Sequence, residues 1–466
     1  MKILFLITII FTLAFSISAQ TTDLSALSKS EGGKRVLAYF AAFNSGDEQK
    51  LKNFFLENLT AESIKQRPVE PRLEFHRQVR NDFQTFEIRK IISMNETEIK
   101  VLVQGKTGSW AEYSFGFEKE APNKLLGWQI EQTDAPGNEE KSKYSTPTNK
   151  SEFISTVEKY LNDRFSDNLF SGVVLIAKDD KPIFHRAYGF ANRETKTANK
   201  TDTKFNLGSI NKIFTRIAIG QLVAAGKVSF DDKLGKFLPD YPNKDAREKV
   251  TIRHLVTMKS GIGDFFGEKF IAMPKAKLRK NSDFIPLFAD KPLAFEPGTN
   301  EQYSNGGYIL LGAIIEKISG KNYYDYVREN IFKPAGMMNT DSFEADKLPA
   351  NTANGYTKRN PKNELLNNAD TRPFRGSAAG GGYSNAEDLL KFSSAVKSGK
   401  LIIPDDDGQP RKGSGLGSAG GSDGINALLL INGQTNYTII VLSNYDPPSA
   451  EKVGEQIRDW TKQIKD

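Results

Sequence analysis

Apolar positions along this chain change their period several times, and each change marks an element. Val36, Leu37, Phe40 and Phe43 recur at helical spacing until Asn44-Ser45-Gly46-Asp47 turns the chain. Leu51, Phe54 and Phe55 carry a second helix. Strand-like runs follow at 86–93, 97–104, 110–118 and 125–132, with turn residues at Asn95-Glu96 and Pro122-Asn123. Helices first and a meander after them predict an α+β domain over 20–133. Residues 134–150, rich in Pro, Gly, Ser, Thr and charge, have the composition of a linker. A second domain is expected over 151–466. A helix with Phe153, Ile154, Val157, Tyr160 and Leu161 leads into strands at 172–178 and 182–191, joined at Asp179-Asp180-Lys181. A mostly helical middle follows, then strands at 424–432 and 437–443 and a last helix from Pro448. Strands at both ends with helices between predict one antiparallel sheet, closed by the two ends of the domain and covered by helices.

The first residues change the compartment. Lys2 precedes an apolar run from Ile3 to Phe15 that ends in Ser16-Ile17-Ser18-Ala19-Gln20, the pattern of a secretory signal peptide over 1–19. Cleavage is expected after Ala19, with Ser18 as the alternative, and the run is short for a span of about 20 residues. A secreted or periplasmic protein without a membrane span after cleavage is therefore expected. There is no cysteine, so neither a disulfide scaffold nor a cysteine-linked lipid anchor is expected. The formal charge of +7 is spread along the chain without a basic stripe, which argues against nucleic-acid binding. The three histidines, His76, His185 and His254, lack metal-ligand spacing. No metal or organic cofactor is expected. His185 in a strand and His254 in a helical segment are expected to play structural roles. No convergent polar cluster is legible in the first domain, so an accessory role is expected of it.

Candidate chemistry begins at Ser209-Ile210-Asn211-Lys212. On a helix, residues i and i+3 share a face, so Lys212 can set its amine beside the Ser209 hydroxyl. A serine alcohol needs an adjacent base, and a buried lysine with a lowered pKa can serve. The same S-x-x-K spacing occurs at Ser394–Lys397 and Ser449–Lys452, in amphipathic or charged helical settings. Ser209 differs because Phe205-Asn206-Leu207-Gly208 delivers it to the start of an apolar helix, whose free N–H groups favour negative charge. A second motif, Tyr303-Ser304-Asn305, lies between the Phe295-Glu296-Pro297-Gly298-Thr299 turn and an apolar helix, where a loop tip presents side chains. Y-x-N recurs at Tyr160, Tyr241 and Tyr383; at Tyr383-Ser384-Asn385 it is expected to cap a helix.

Ser209-x-x-Lys212, Tyr303-x-Asn305, Thr251-Ile252-Arg253-His254-Leu255 running into Ser260-Gly261, and the Pro297-Gly298 lead-in resemble the penicillin-recognising serine hydrolases. More narrowly they resemble the class C β-lactamase-like and penicillin-binding-protein-like family over about 151–466. The resemblance implies an α/β sandwich with an all-helical subdomain and an acyl-enzyme mechanism. Ser209 would then be the nucleophile, with Lys212 and Tyr303 sharing the proton work, Tyr303 as phenolate or as proton shuttle. Asn305 would bind the substrate amide or the lysine, and the N–H groups of Ser209 and Gly421 would form the oxyanion hole. The first domain, with its Phe-Asn-Ser-Gly-Asp turn, resembles the nuclear-transport-factor-two-like cone fold.

One motif departs from the family. Its K-T-G or H-x-G triad corresponds here to Ser418-Ala419-Gly420, followed by Gly421, and the preceding 401–415 is short and polar for a stretch that usually supplies another strand. Ser418, Gly420 and Gly421 remain candidate substrate-binding residues. Ser418 brings no positive charge, which argues against strong recognition of a substrate carboxylate. The expected function is a secreted serine hydrolase of a small-molecule or peptide ester or amide, cell-wall-derived peptides among the candidates. Esterase or peptidase chemistry is favoured over penicillin hydrolysis. The alternative is a non-catalytic binding or regulatory domain that kept the fold. Oligomeric state stays open.

Overall fold

The computed structural model describes residues 24–133, 143–360, 364–406, 409, 411 and 415–464. The signal segment, most of the linker and part of 401–415 lie outside the described residues.

In the first unit, helices Glu31–Asn44, Glu48–Asn58, Ala61–Gln66 and Val69–Phe83 precede strands Phe86–Met94, Glu98–Gly105, Trp110–Phe117 and Leu125–Thr133. The strands pair in chain order as an antiparallel meander. Ser30 and Asp47 cap the first two long helices by accepting backbone N–H groups. The helix Val69–Phe83 escaped the sequence reading because its few apolar residues are interleaved with charge. It carries His76 into the core, where Nδ1–H donates to the Arg72 carbonyl at 2.6 Å and Nε2 accepts from the Tyr39 hydroxyl at 2.8 Å. The Tyr113 hydroxyl stands 3.3 Å from that of Tyr39. This buried polar triad corrects the expectation of none: its members lie 37 and 74 residues from Tyr39 and meet only in the folded unit. Burial holds the His76 imidazole down to a pKa of about 4.

The second unit holds a five-stranded antiparallel sheet. From one edge its strands are Leu416–Ser422, Ile425–Ile431, Tyr437–Ser443, Gly172–Lys178 and Lys181–Tyr188. Asp179 and Asp180 both have positive φ, the geometry of a tight hairpin turn, which explains the break expected there. Alternation splits the strands between two layers. Val173, Leu175, Leu429 and Leu442 face one core, while Val174, Ile176, Leu428 and Val441 face the other. The second face is covered by Lys150–Ser166 and Ser449–Thr461, the helices at the two ends of the domain. The first packs on Ala386–Lys397 and shares one apolar core with Asn211–Ala224 and, behind it, Asn305–Ser319. A sheet apolar on both faces accounts for the unbroken hydrophobic runs in its inner strands. The described part of 401–415 contributes no strand; the edge strand begins at Leu416.

Candidate active site

The chain reaches Ser209 through a tight passage. Asn206 pairs with Tyr383 in a two-residue ladder, and Gly208 follows at φ +50°. A Cβ on Gly208 would lie 2.9 Å from the Gly421 nitrogen, and one on Gly420 only 2.0 Å from the Leu207 carbonyl oxygen and 2.7 Å from the Ser209 nitrogen. Glycine at both places lets the edge strand lie against the nucleophile turn. The backbone of Gly420 and Gly421 is thereby brought to the N–H side of Ser209. Ser209 sits in the 3-10 turn Gly208–Ile210 that opens directly into Asn211–Ala224.

Lys212 follows on the same face and is 7% exposed. Its Nζ lies 3.1 Å from Ser209 Oγ, 2.7 Å from Asn305 Oδ1 and 2.5 Å from the Ala379 carbonyl oxygen. The last two atoms can only accept, so they hold two of the three amine directions as N–H bonds. In the neutral amine the lone pair is left facing Ser209. Burial lowers the Lys212 pKa to about 7, against the opposing pull of the Asp264 carboxylate. Tyr303 completes the group, with its hydroxyl 2.5 Å from Ser209 Oγ and its ring 4.6 Å from Lys212 Nζ. Half of the residue is open to the cleft, but its enclosed hydroxyl end has a raised pKa. The phenol form is therefore the stable one near neutral pH.

Asn305 is oriented from behind. Its Nδ2 donates to Asp264 Oδ2 at 2.7 Å, which turns Oδ1 toward the lysine. Both ends of the amide are engaged, Oδ1 by Lys212 and Nδ2 by Asp264. Asp264 also accepts from the Phe266 N–H at 3.0 Å; burial raises its pKa while these donors and Lys212 oppose the rise. The Thr251–Gly261 stretch props the Tyr303 loop. Thr251 and His254 form a capping box, the Gly298 N–H donates to the Lys259 carbonyl, and the Gln302 N–H donates to that of Met258. His254 is thus structural, as expected.

Around Ser209 lies a cleft of about 320 Å³ lined by Tyr303, Asn305, Phe265, Phe266, Phe343, Arg372, Phe374 and the edge-strand residues Ala419 to Ser422. Ser418 stands one residue before the stretch of the edge strand that lines the cleft. Neighbouring side chains on a strand point to opposite faces, so Ser418 shares the side on which Gly420 meets Leu207 and Ser209, while Gly421 turns toward Pro447. Tyr383 does line it, although Asn385 caps the helix Ala386–Lys397 as expected. The other S-x-x-K pairs are structural. Ser394 bonds the Leu390 carbonyl, Lys397 pairs with Asp180, and Ser449 bonds Ser443. Sequence reasoning missed Asp264, Ala379 and Arg372. The Gly380-Gly381-Gly382 run was a visible signal for the second, since its backbone bonds Leu207 and Gly208 just before the nucleophile. Among the described residues, no group of three or more His, Cys, Asp or Glu side chains is placed to hold a metal ion.

A fold with a paired serine and buried lysine beside its sheet edge defines the class, and comparison with known proteins agrees. The family model described as Beta-lactamase matches residues 155–460, and the chain belongs to that family. It is 36% identical over 194 residues to "Penicillin-binding protein 4*" of Bacillus subtilis, covering 41% of this chain and 42% of that one. It is 28% identical over 295 residues to the human "Serine beta-lactamase-like protein LACTB, mitochondrial", covering 49% and 54%. The chain thus spans about half the length of these two curated relatives. A penicillin-binding protein from Bacillus halodurans superimposes with a TM-score of 0.57 at 33% identity, over 64% of this chain and 98% of that one. D-amino acid amidase from Ochrobactrum anthropi SV3 gives 0.57 at 21% identity over 67% and 98%, a likeness of fold.

Proposed function

We propose that this protein is a serine hydrolase that opens an ester or amide through a Ser209 acyl-enzyme. The observation that carries this reading is the convergence of Lys212 Nζ and Tyr303 OH on Ser209 Oγ, at 3.1 and 2.5 Å, inside an open cleft. Neutral Lys212 takes the Ser209 proton as Oγ bonds to the carbonyl carbon. The N–H groups of Ser209 and Gly421 hold the developing oxyanion, a contribution worth about a hundredfold or more per donor. Tyr303, as a phenol, gives its proton to the leaving oxygen or nitrogen as that bond breaks, and the Lys212 ammonium restores it. Water then enters by the same route in reverse and frees the acid and Ser209. The aromatic lining favours substrates with an apolar group near the scissile bond. The open cleft weighs against the non-catalytic alternative.

Secretion rests on the Lys2-led apolar segment; no helix among the described residues is long and apolar enough to cross a membrane. The first unit is assigned an accessory role. Its helices followed by a four-stranded antiparallel meander and an aromatic core support the cone-like reading.

The test is intact-protein mass after incubation with a fluorophosphonate and, separately, a penicillin, for wild type and Ser209→Ala. A Ser209-dependent fluorophosphonate adduct is expected, with little from the penicillin. No adduct from either reagent would make a non-catalytic domain the better account.

A further inference from the structure

The third-motif serine leaves the edge strand without a cation, yet the cleft is not without one. Arg372 and Arg375 both line it, and no acidic residue does among the described residues. Arg375 is already committed. Its Nε donates to the Ser342 carbonyl at 2.8 Å, its Nη1 lies 3.7 Å from Glu344 Oε1, and its guanidinium stacks 3.6 Å from the centre of the Tyr324 ring.

Arg372 is different. Its Nη1 donates to the Tyr383 hydroxyl, its Nε is buried without a partner, and no described carboxylate pairs with it. It lines both the catalytic cleft and a small cavity behind it that Asn206, Asn368, Tyr383, Gly424 and Ile425 also line. That places it toward the Ser422–Ile425 end of the edge strand, on the sheet side. Tyr303, which faces the leaving group, projects instead from the start of the helix Asn305–Ser319 on the helical side. A guanidinium is always charged and presents a fork that matches a carboxylate. One held by a hydroxyl and paired with no described carboxylate keeps that charge for a ligand.

We propose that Arg372 is a specificity-determining residue that binds a carboxylate on the acyl portion of the substrate, the portion retained on Ser209 after the leaving group departs. The inference rests on the hydrolase reading above. It makes the preferred substrates monoesters or monoamides of dicarboxylic acids, or acyl groups with a comparable free carboxylate. Arg372 anchors that carboxylate while Ser209 attacks the other carbonyl.

The experiment compares p-nitrophenyl monoesters of glutaric, adipic and pimelic acid with the same compounds capped as methyl esters. They are assayed on wild type, Arg372→Gln and Arg372→Lys, with folding checked by circular dichroism and fluorophosphonate labelling of Ser209 run in parallel. Wild type is expected to prefer at least one free acid over its methyl ester. In Arg372→Gln that preference falls about tenfold or more, through KM more than kcat, with partial recovery in Arg372→Lys. Equal preference in wild type and Arg372→Gln, with Ser209 still labelled, overturns the inference and leaves the hydrolase reading standing. Turnover of neither ester series, with Ser209 unlabelled, overturns both.

Discussion

Asn305 Oδ1 lies 2.7 Å from Lys212 Nζ, although 93 residues separate them. The contact joins the two short motifs into one device, because Asp264 sets the direction of the Asn305 amide and Ala379 takes a second lysine proton. What remains of the amine faces Ser209.

The pH dependence of acylation follows from the lysine. Its lowered pKa of about 7 means that the ammonium, which cannot accept a proton, dominates below neutrality. The kcat/KM for an activated ester should rise with pH and reach half its plateau near 7. Lys212→Ala should lower it by a hundredfold or more while the thermal unfolding curve keeps its cooperativity. Stopped-flow acylation across pH 5.5–9 checks both; a flat profile in the wild type would remove Lys212 as the base.

Asp264 tests the positioning. Its carboxylate favours the charged lysine, so Asp264→Asn should move the rising limb of the pH profile to lower pH. The same change weakens the hold on Asn305, so the plateau should fall as well. A fall without a shift would mean that Asp264 acts on geometry alone.

Gly420→Ala should be severe. The new methyl would meet backbone atoms of Leu207 and Ser209, which cannot swing aside as a side chain would. The strand must retreat from the nucleophile turn, taking the Gly421 N–H with it. A loss of about a hundredfold in fluorophosphonate labelling rate is expected. Gly417→Ala, whose nearest foreign atom is a Leu430 side-chain carbon at 3.5 Å, should label normally.

His76 makes the first unit acid-sensitive. Its imidazole titrates near 4 when folded and near 6.5 when free, so the folded state binds fewer protons between those values. The neutral imidazole's contribution is complete above pH 6.5 and is lost as pH falls toward 4, at most about 3 kcal/mol. Thermal melts followed by tryptophan fluorescence should show a larger drop between pH 7.5 and 4.5 in wild type than in His76→Phe. Trp128, whose ring centre is 5.3 Å from that of His76, reports on this core.

Much of this architecture was legible in the sequence. Strands at both ends of the second domain announced one sheet closed by its two ends, and Gly172–Lys178 and Tyr437–Ser443 pair side by side in it. The spacing of Ser209 and Lys212 determined that they share a face, because helix geometry is local. The close backbone approach at Gly208 and Gly420 appeared only in the folded chain. What approaches those elements is not encoded locally. Only the tertiary structure brought Tyr303, Asp264 and Ala379 around the lysine and set Arg372 in the cleft beside them. Periodicity reports which side of an element is buried, whereas the partner across the interface is chosen by how the sheet and helical layers pack.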